Sequence, residues 1–262
     1  MFPKSAVHTT SMAYLDIDGV KIRYLSAGAG ESVLLLHGWG CSIESMTPVF
    51  DEFVKHYAVV ALDFPGHGES ELPPRAWNVT DFMVMVLRVM DALHLDRPHI
   101  IAHSHGGRVA IKLAATYPDR VGKIVLVDSA GIRPSRRFKY YVRVSLAKIG
   151  KFLAAYGGRW GERMRQRIYA SVASQDYAAA GPLRETFVKL VNADLTSELP
   201  AIQAPTLLVW GENDTDTPVA SAKIMHQLIP NAELVVLQHA GHFSYLDQFG
   251  KFRLIVGKFL RQ

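Results

Sequence analysis

The sequence predicts an α/β fold: a mostly parallel eight-stranded sheet with helices on both faces, interrupted by a helical insertion. Three observations predict it. Short, continuously apolar runs, such as residues 33–36 and 121–127, alternate with stretches of helical spacing, which is the pattern of buried parallel strands joined by crossover helices. Ahead of them, runs 12–17 and 20–26 flank Asp18-Gly19, a two-residue hairpin signal. From Arg133 to Leu199 the alternation stops and only helical patterns occur.

The hairpin runs carry polar residues between apolar ones, as expected of antiparallel strands at a sheet edge. The turn Ala27-Gly28-Ala29-Gly30 leads into the third strand, 33–36, which runs into His37-Gly38-Trp39-Gly40. A helix follows over 45–56, with Met46, Val49, Phe50, Phe53 and Val54 on one face, then a strand over 57–62 that ends at Asp63. The tight loop Phe64-Pro65-Gly66-His67-Gly68-Glu69-Ser70 comes next, and Thr80-Asp81 opens a helix to about His94. Residues 98–103 form the fifth strand, 104–117 a helix, and 121–127 the sixth strand, ended by Asp128-Ser129-Ala130-Gly131. In the insertion, Val142, Leu146, Ile149 and Leu153 make one stripe, and Gly157-Gly158 breaks it. Trp160, Met164, Ile168 and Val172 make a second, and Pro182 opens a third helix with Leu183, Phe187, Leu190 and Val191 on one face. After Pro205 the alternation resumes: strand 206–210, helix 218–229, strand 232–237, final helix 243–260. Residues 1–132 and 200–262 therefore read as one α/β domain, and 133–199 as an inserted helical segment.

Composition narrows the classes. Hydrophobic residues make up 49% and charged residues 20%, which excludes a disordered or fibrous chain. The single cysteine, Cys41, allows no internal disulfide and fits a cytoplasmic setting, as does the lack of an apolar leader in the first eleven residues. The apolar run 82–87 is ended by Arg88, so no membrane span is expected. The net charge is +5, but the excess is local: eleven Lys or Arg lie between Arg133 and Arg167 against one acid, Glu162. That segment reads as a solvated basic face rather than a nucleic-acid site; the sharper alternative is a positive rim that steers anionic substrates. The oligomeric state is left open. With eleven histidines there is still no His-Glu-x-x-His and no cysteine pair, and no Gly-x-Gly-x-x-Gly follows a strand. Neither a metal nor a dinucleotide cofactor is expected.

The chemistry centres on Ala102-His103-Ser104-His105-Gly106, a serine at a sharp strand-to-helix turn flanked at two residues' distance by small side chains. Ala102 stands where glycine is usual. A serine nucleophile needs a base, and the base needs an orienting acid, both on loops at the carboxyl ends of later strands. Asp214, in Gly211-Glu212-Asn213-Asp214, is the candidate acid over Asp216 and Asp128. His242, in His239-Ala240-Gly241-His242-Phe243, is the candidate base over His239. The negative charge of a tetrahedral transition state needs preorganised N–H donors. The His105 amide, at a helix start, and the Trp39 amide, in a glycine-rich loop, are the candidates. The His105 side chain reads as a packed neutral imidazole, Cys41 as a packed thiol, and Asp63 with the loop glycines as a structural turn rather than an acid–base pair with His67.

Taken together, His37-Gly38-Trp39-Gly40, the 63–70 loop, the Ser104 elbow, Gly211-Glu212-Asn213-Asp214 and Gly241-His242-Phe243 resemble, in kind and order, the motifs of the α/β-hydrolase family. The resemblance covers nearly the whole chain and is nearest to capped bacterial esterases and carbon–carbon hydrolases. It implies that Ser104, Asp214 and His242 form a triad and that 133–199 is a helical cap. The function expected is a cofactor-independent serine hydrolase that cleaves small carboxylic esters through an acyl-enzyme. The alternative within enzymes is carbon–carbon bond hydrolysis of an anionic dienoic or diketone-like acid. His37-Gly38-Trp39-Gly40 counts against it, since Ser-Gly-x-Gly is common in those enzymes. Ser104 at the nucleophile position disfavours the Asp-nucleophile dehalogenases and epoxide hydrolases. A rival of another class is a ligand receptor on a hydrolase scaffold, since fold does not fix function.

Overall fold

The computed structural model describes residues 11–133 and 180–262, and the predicted stripes at 142–153 and 160–172 lie outside them. The chain divides into two compact units, Met1–Arg133 with Lys189–Gln262, and Pro134–Val188. In the first unit, strands β1 (Ser11–Ile17), β2 (Val20–Ala27), β3 (Ser32–Leu36), β4 (Ala58–Leu62), β5 (His99–His103), β6 (Ile124–Val127), β7 (Thr206–Gly211) and β8 (Ala232–Leu237) form one sheet. Its order is β1-β2-β4-β3-β5-β6-β7-β8. The β1–β2 pair is antiparallel, as the hairpin signal predicts; β2–β4 is antiparallel as well, and the rest are parallel, which gives the mostly parallel sheet expected. The hairpin turn takes positive φ at both Asp18 (52°) and Gly19 (81°), the geometry that suits strand twist.

The central strands are continuously apolar because both faces are covered. Alternate residues serve opposite layers. Leu34, Leu36, Ile100, Ala102, Leu126 and Trp210 pack with α2 (Val79–Ala92), α3 (His105–Thr116) and α5 (Val219–Leu228). Val33, Leu35, Ile101, Val125 and Val209 pack with α1 (Ile43–Phe53) and α7 (Phe249–Arg261). A helix α4 (Arg184–Asn192) follows the predicted Pro182 start, and a short α6 (Ser244–Asp247) precedes α7. Among the described residues no helix is long and apolar enough to cross a membrane. The strand order reverses at β3, which pairs with β4 on one side and β5 on the other. Ligands of open α/β sheets bind outside the carboxyl ends of strands at such a reversal. The His37–Gly40 loop and Ser104 leave β3 and β5 there.

Three elements differ from the reading of the sequence. The strand predicted from 121 begins at Ile124, because Gly122 packs its backbone against the His99 ring and donates its N–H to the Pro98 carbonyl at 3.0 Å. The helix predicted over 243–260 is broken at Gln248 (φ −128°, ψ 43°) into α6 and α7. Two contacts pin α6: the Ser244 amide donates to the Asp128 carboxylate, and the Asp247 carboxylate accepts from the Gly241 amide. Helix α1 starts two residues early, at Ile43, whose amide donates to Asp63 Oδ1 at 2.7 Å.

Candidate active site

Ser104 joins β5 to α3 with φ 48° and ψ −109°, a backbone conformation rarely adopted by a side-chain-bearing residue. The surrounding backbone holds it there. Its amide donates to the Val127 carbonyl at 3.0 Å, its carbonyl accepts from Ala130 at 3.0 Å, and the Gly106 amide donates to His37 at 3.0 Å. A Cβ on Gly106 would overlap the Leu36 carbonyl oxygen, which is backbone and cannot swing aside. Gly106→Ala is therefore expected to destabilise the fold by about 3 kcal/mol, the scale of forced overpacking, as read by chemical denaturation. A variant as stable as the parent would disprove this account of the small position. Ala102, the other small position, is fully buried between Leu36 and Leu126, and its methyl group fits the core.

Of the residues singled out in the sequence, Ser104, His242 and Asp214 are brought into one chain of hydrogen bonds. His242 Nε2 lies 3.0 Å from Ser104 Oγ, and His242 Nδ1 lies 2.9 Å from Asp214 Oδ2. The rivals do not join it: Asp216 and His239 are exposed, and the His239 amide faces Glu212. The Asp214 side chain is fully buried. Burial pushes its carboxyl up, but hydrogen bonds from His242 and Thr217 outweigh this and hold it below the usual carboxylate range. For His242, burial pushes the imidazole down, while the hydrogen bond and charge of Asp214, helped by Asp216 and Asp128, raise it above its usual value of 6.5. The ring is thus poised to take a proton from Ser104 beside a carboxylate that favours the resulting cation.

The sequence reading did not single out several supporting residues. Thr217 donates its hydroxyl to Asp214 Oδ2 at 2.6 Å, and the Thr217 and Asp216 amides donate to Oδ1 at 3.0 and 2.9 Å. An Asp followed three residues later by Thr is a local turn signal that points to this arrangement. Asp128, considered only as a rival acid, accepts the Gly211 amide on Oδ1 (2.7 Å) and the Ser244 amide on Oδ2 (3.0 Å). It thereby ties the loop of Asp214 to that of His242. Burial pushes its carboxyl up to about 7. His103, pushed down by burial to about 3, donates from Nε2 to the His242 carbonyl at 2.7 Å.

The loop after β3 lies against Ser104: a Cβ on Gly38 would sit 3.3 Å from the Ser104 Cβ and 2.7 Å from His103 Nδ1. His37 anchors this loop, donating from Nδ1 to the Gly38 carbonyl (2.7 Å) and accepting at Nε2 from the Phe64 amide (3.0 Å). Only the neutral ring can do both, and burial pushes its pKa down to about 3. The Trp39 indole stacks edge-on to His67 at 4.7 Å. The His105 amide is the first of α3 and has no acceptor within the helix. The His105 ring, 1% exposed, packs against Phe82 (4.8 Å) and Phe64 (5.0 Å) and is held neutral by burial, as the sequence suggests. Asp63 proves structural: it accepts the Ile43 and Glu69 amides and pairs with the buried Arg23 of β2 at 3.1 Å.

The family model described as the alpha/beta hydrolase family matches residues 33–252, so the chain belongs to that family of hydrolases. It is 29% identical, over 94% of this chain and 68% of the relative, to a dihydrolipoyllysine-residue acetyltransferase component of the acetoin cleaving system of Cupriavidus necator. It is 28% identical, over 93% of this chain and 92% of the relative, to a 2-hydroxy-6-oxononadienedioate/2-hydroxy-6-oxononatrienedioate hydrolase of Paraburkholderia phymatum. Among solved structures, a bacterial membrane phospholipase A superposes with a TM-score of 0.77 at 25% identity, covering 96% of this chain and 86% of that one.

Proposed function

We propose that this hydrolase cleaves carboxylic esters through a Ser104–His242–Asp214 triad and an acyl-enzyme, without a cofactor. The observation that carries the reading is the continuous relay from Ser104 Oγ through His242 to Asp214, at 3.0 and 2.9 Å, on a strained elbow at the strand-order reversal. In this reading His242 takes the Ser104 proton as Oγ attacks the acyl carbon, and Asp214 keeps the imidazole in the tautomer with Nε2 free. The Trp39 and His105 amides hold the oxyanion. His242 then protonates the leaving alcohol and activates the water that releases the acid. The division into a core at 1–132 and 200–262 and a substrate-shaping insertion at 133–199 belongs to the same proposal. A second reading, carbon–carbon bond cleavage, draws support from the name of the Paraburkholderia phymatum relative.

The test is labelling of Ser104 by a fluorophosphonate, followed by turnover of short-chain p-nitrophenyl esters and of a 2-hydroxy-6-oxodienoic acid in parallel. Labelling with faster ester turnover supports the proposal. Preference for the dienoic acid replaces it with the second reading, and an unlabelled serine sinks both. The same assay has a pH signature. The base works only as the neutral imidazole, and Asp214 raises its pKa, so kcat/KM is expected to climb with pH along an acid limb centred above 6.5. A limb centred below that value would remove His242 as the base.

A further inference from the structure

Arg108 lies on the first turn of α3, four residues after Ser104, and its amide donates to the Ser104 carbonyl at 3.3 Å. Long side chains on a helix lean toward its N-terminus, which for Arg108 is the turn of Ser104 and His105, and the Arg108 charge acts on the His105 ring. The Arg108 Nε is sealed from solvent and has no hydrogen-bond partner. The residue as a whole still keeps accessible surface. Among the described residues no carboxylate pairs with it, whereas Lys112, one turn further along α3, is matched by Glu198 at 2.8 Å, and elsewhere Arg120 is matched by Asp91 at 2.6 Å and Arg23 by Asp63 at 3.1 Å. Burial lowers the Arg108 pKa to about 10, which leaves it a cation. Its charge reaches His105, whose two ring nitrogens are also buried and unpartnered.

A desolvated cation without a counter-ion is costly to the fold, and such groups occur where a ligand supplies the missing charge. A guanidinium presents a planar fork that matches a carboxylate. We propose that Arg108 binds a carboxylate on the substrate, so that the compound cleaved at Ser104 is an acid ester rather than a neutral one. One helical turn, about 5.4 Å of rise, separates the two residues, which sets the carboxylate a few bonds from the scissile carbonyl. The inference rests on Ser104 as the nucleophile and adds the substrate's charge.

The experiment compares mono-p-nitrophenyl glutarate with the neutral p-nitrophenyl pentanoate on wild type, Arg108→Gln and Arg108→Lys, each checked for folding by circular dichroism and melting temperature. The anionic-to-neutral ratio of kcat/KM is expected to fall about 10- to 100-fold in Arg108→Gln, the scale of a lost charged hydrogen bond, with part of it kept in Arg108→Lys. A ratio that stays constant overturns the proposal. Calorimetric binding of free glutarate to wild type and Arg108→Gln decides the point without turnover: weaker binding to the variant supports it, and equal or absent binding to both overturns it. Should no ester be cleaved and Ser104 resist labelling, the reaction assigned above falls, while the glutarate comparison still judges Arg108.

Discussion

Ser104→Ala is expected to lower kcat on the best ester by about 10⁴- to 10⁶-fold with little change in KM. The variant removes one oxygen, the atom that forms the covalent bond in the proposed mechanism. The His242–Asp214 pair stays in place, since its 2.9 Å bond does not involve Ser104. So do the amides of Trp39 and His105, which leaves a residual rate from binding and oxyanion contacts alone. The strained elbow also survives, because it is held by the Val127, Ala130 and Gly106 backbone bonds and not by Oγ. The melting temperature should therefore stay near that of the parent, which separates lost chemistry from lost fold. Retention of more than a few per cent of the parental rate would remove Ser104 from the reaction.

That serine was legible because two local rules meet at it: a buried strand must stop, and a helix must start, within one residue. Most of the sheet was legible for a similar reason. Strands covered on both faces carry their own signature, an unbroken apolar run such as Val33 to Leu36 in β3 and Leu207 to Trp210 in β7. The features that were not legible depend on partners distant in sequence. Arg23 reads as an edge-strand surface residue, yet it is 4% exposed because Asp63 and Glu44, 40 and 21 residues away, close over it. The break at Gln248 leaves the apolar periodicity intact; it comes from Asp128, 116 residues before Ser244, taking the amide that starts α6. Asp128 itself looked like a rival acid because type and position at a strand end are all a sequence shows. Its two amide partners reveal it as the clamp between the loops of Asp214 and His242.

The consequence is a sharp contrast between the two aspartates. Asp214→Asn is expected to lower kcat/KM by about 10⁴-fold, the scale set by orienting carboxylates in serine hydrolases. The cause is the tautomer. Thr217 and the 216 and 217 amides fix the orientation of the side chain at 214. An asparagine amide group turned toward His242 donates to Nδ1, which moves the ring proton to Nε2, where it faces Ser104 Oγ and blocks its role as acceptor. Without the carboxylate charge that raises it, the imidazole also titrates at lower pH, so the acid limb should shift down as the rate falls. Asp128 does not substitute, since both its oxygens already hold backbone amides and burial keeps its pKa near 7. Asp128→Asn instead sets an amide group against one of those N–H donors, and its main expected effect is a lower melting temperature, with a smaller drop in kcat/KM than Asp214→Asn causes. If Asp128→Asn abolished turnover at undiminished stability while Asp214→Asn left it intact, the acid would be Asp128, and the triad would need to be redrawn through β6.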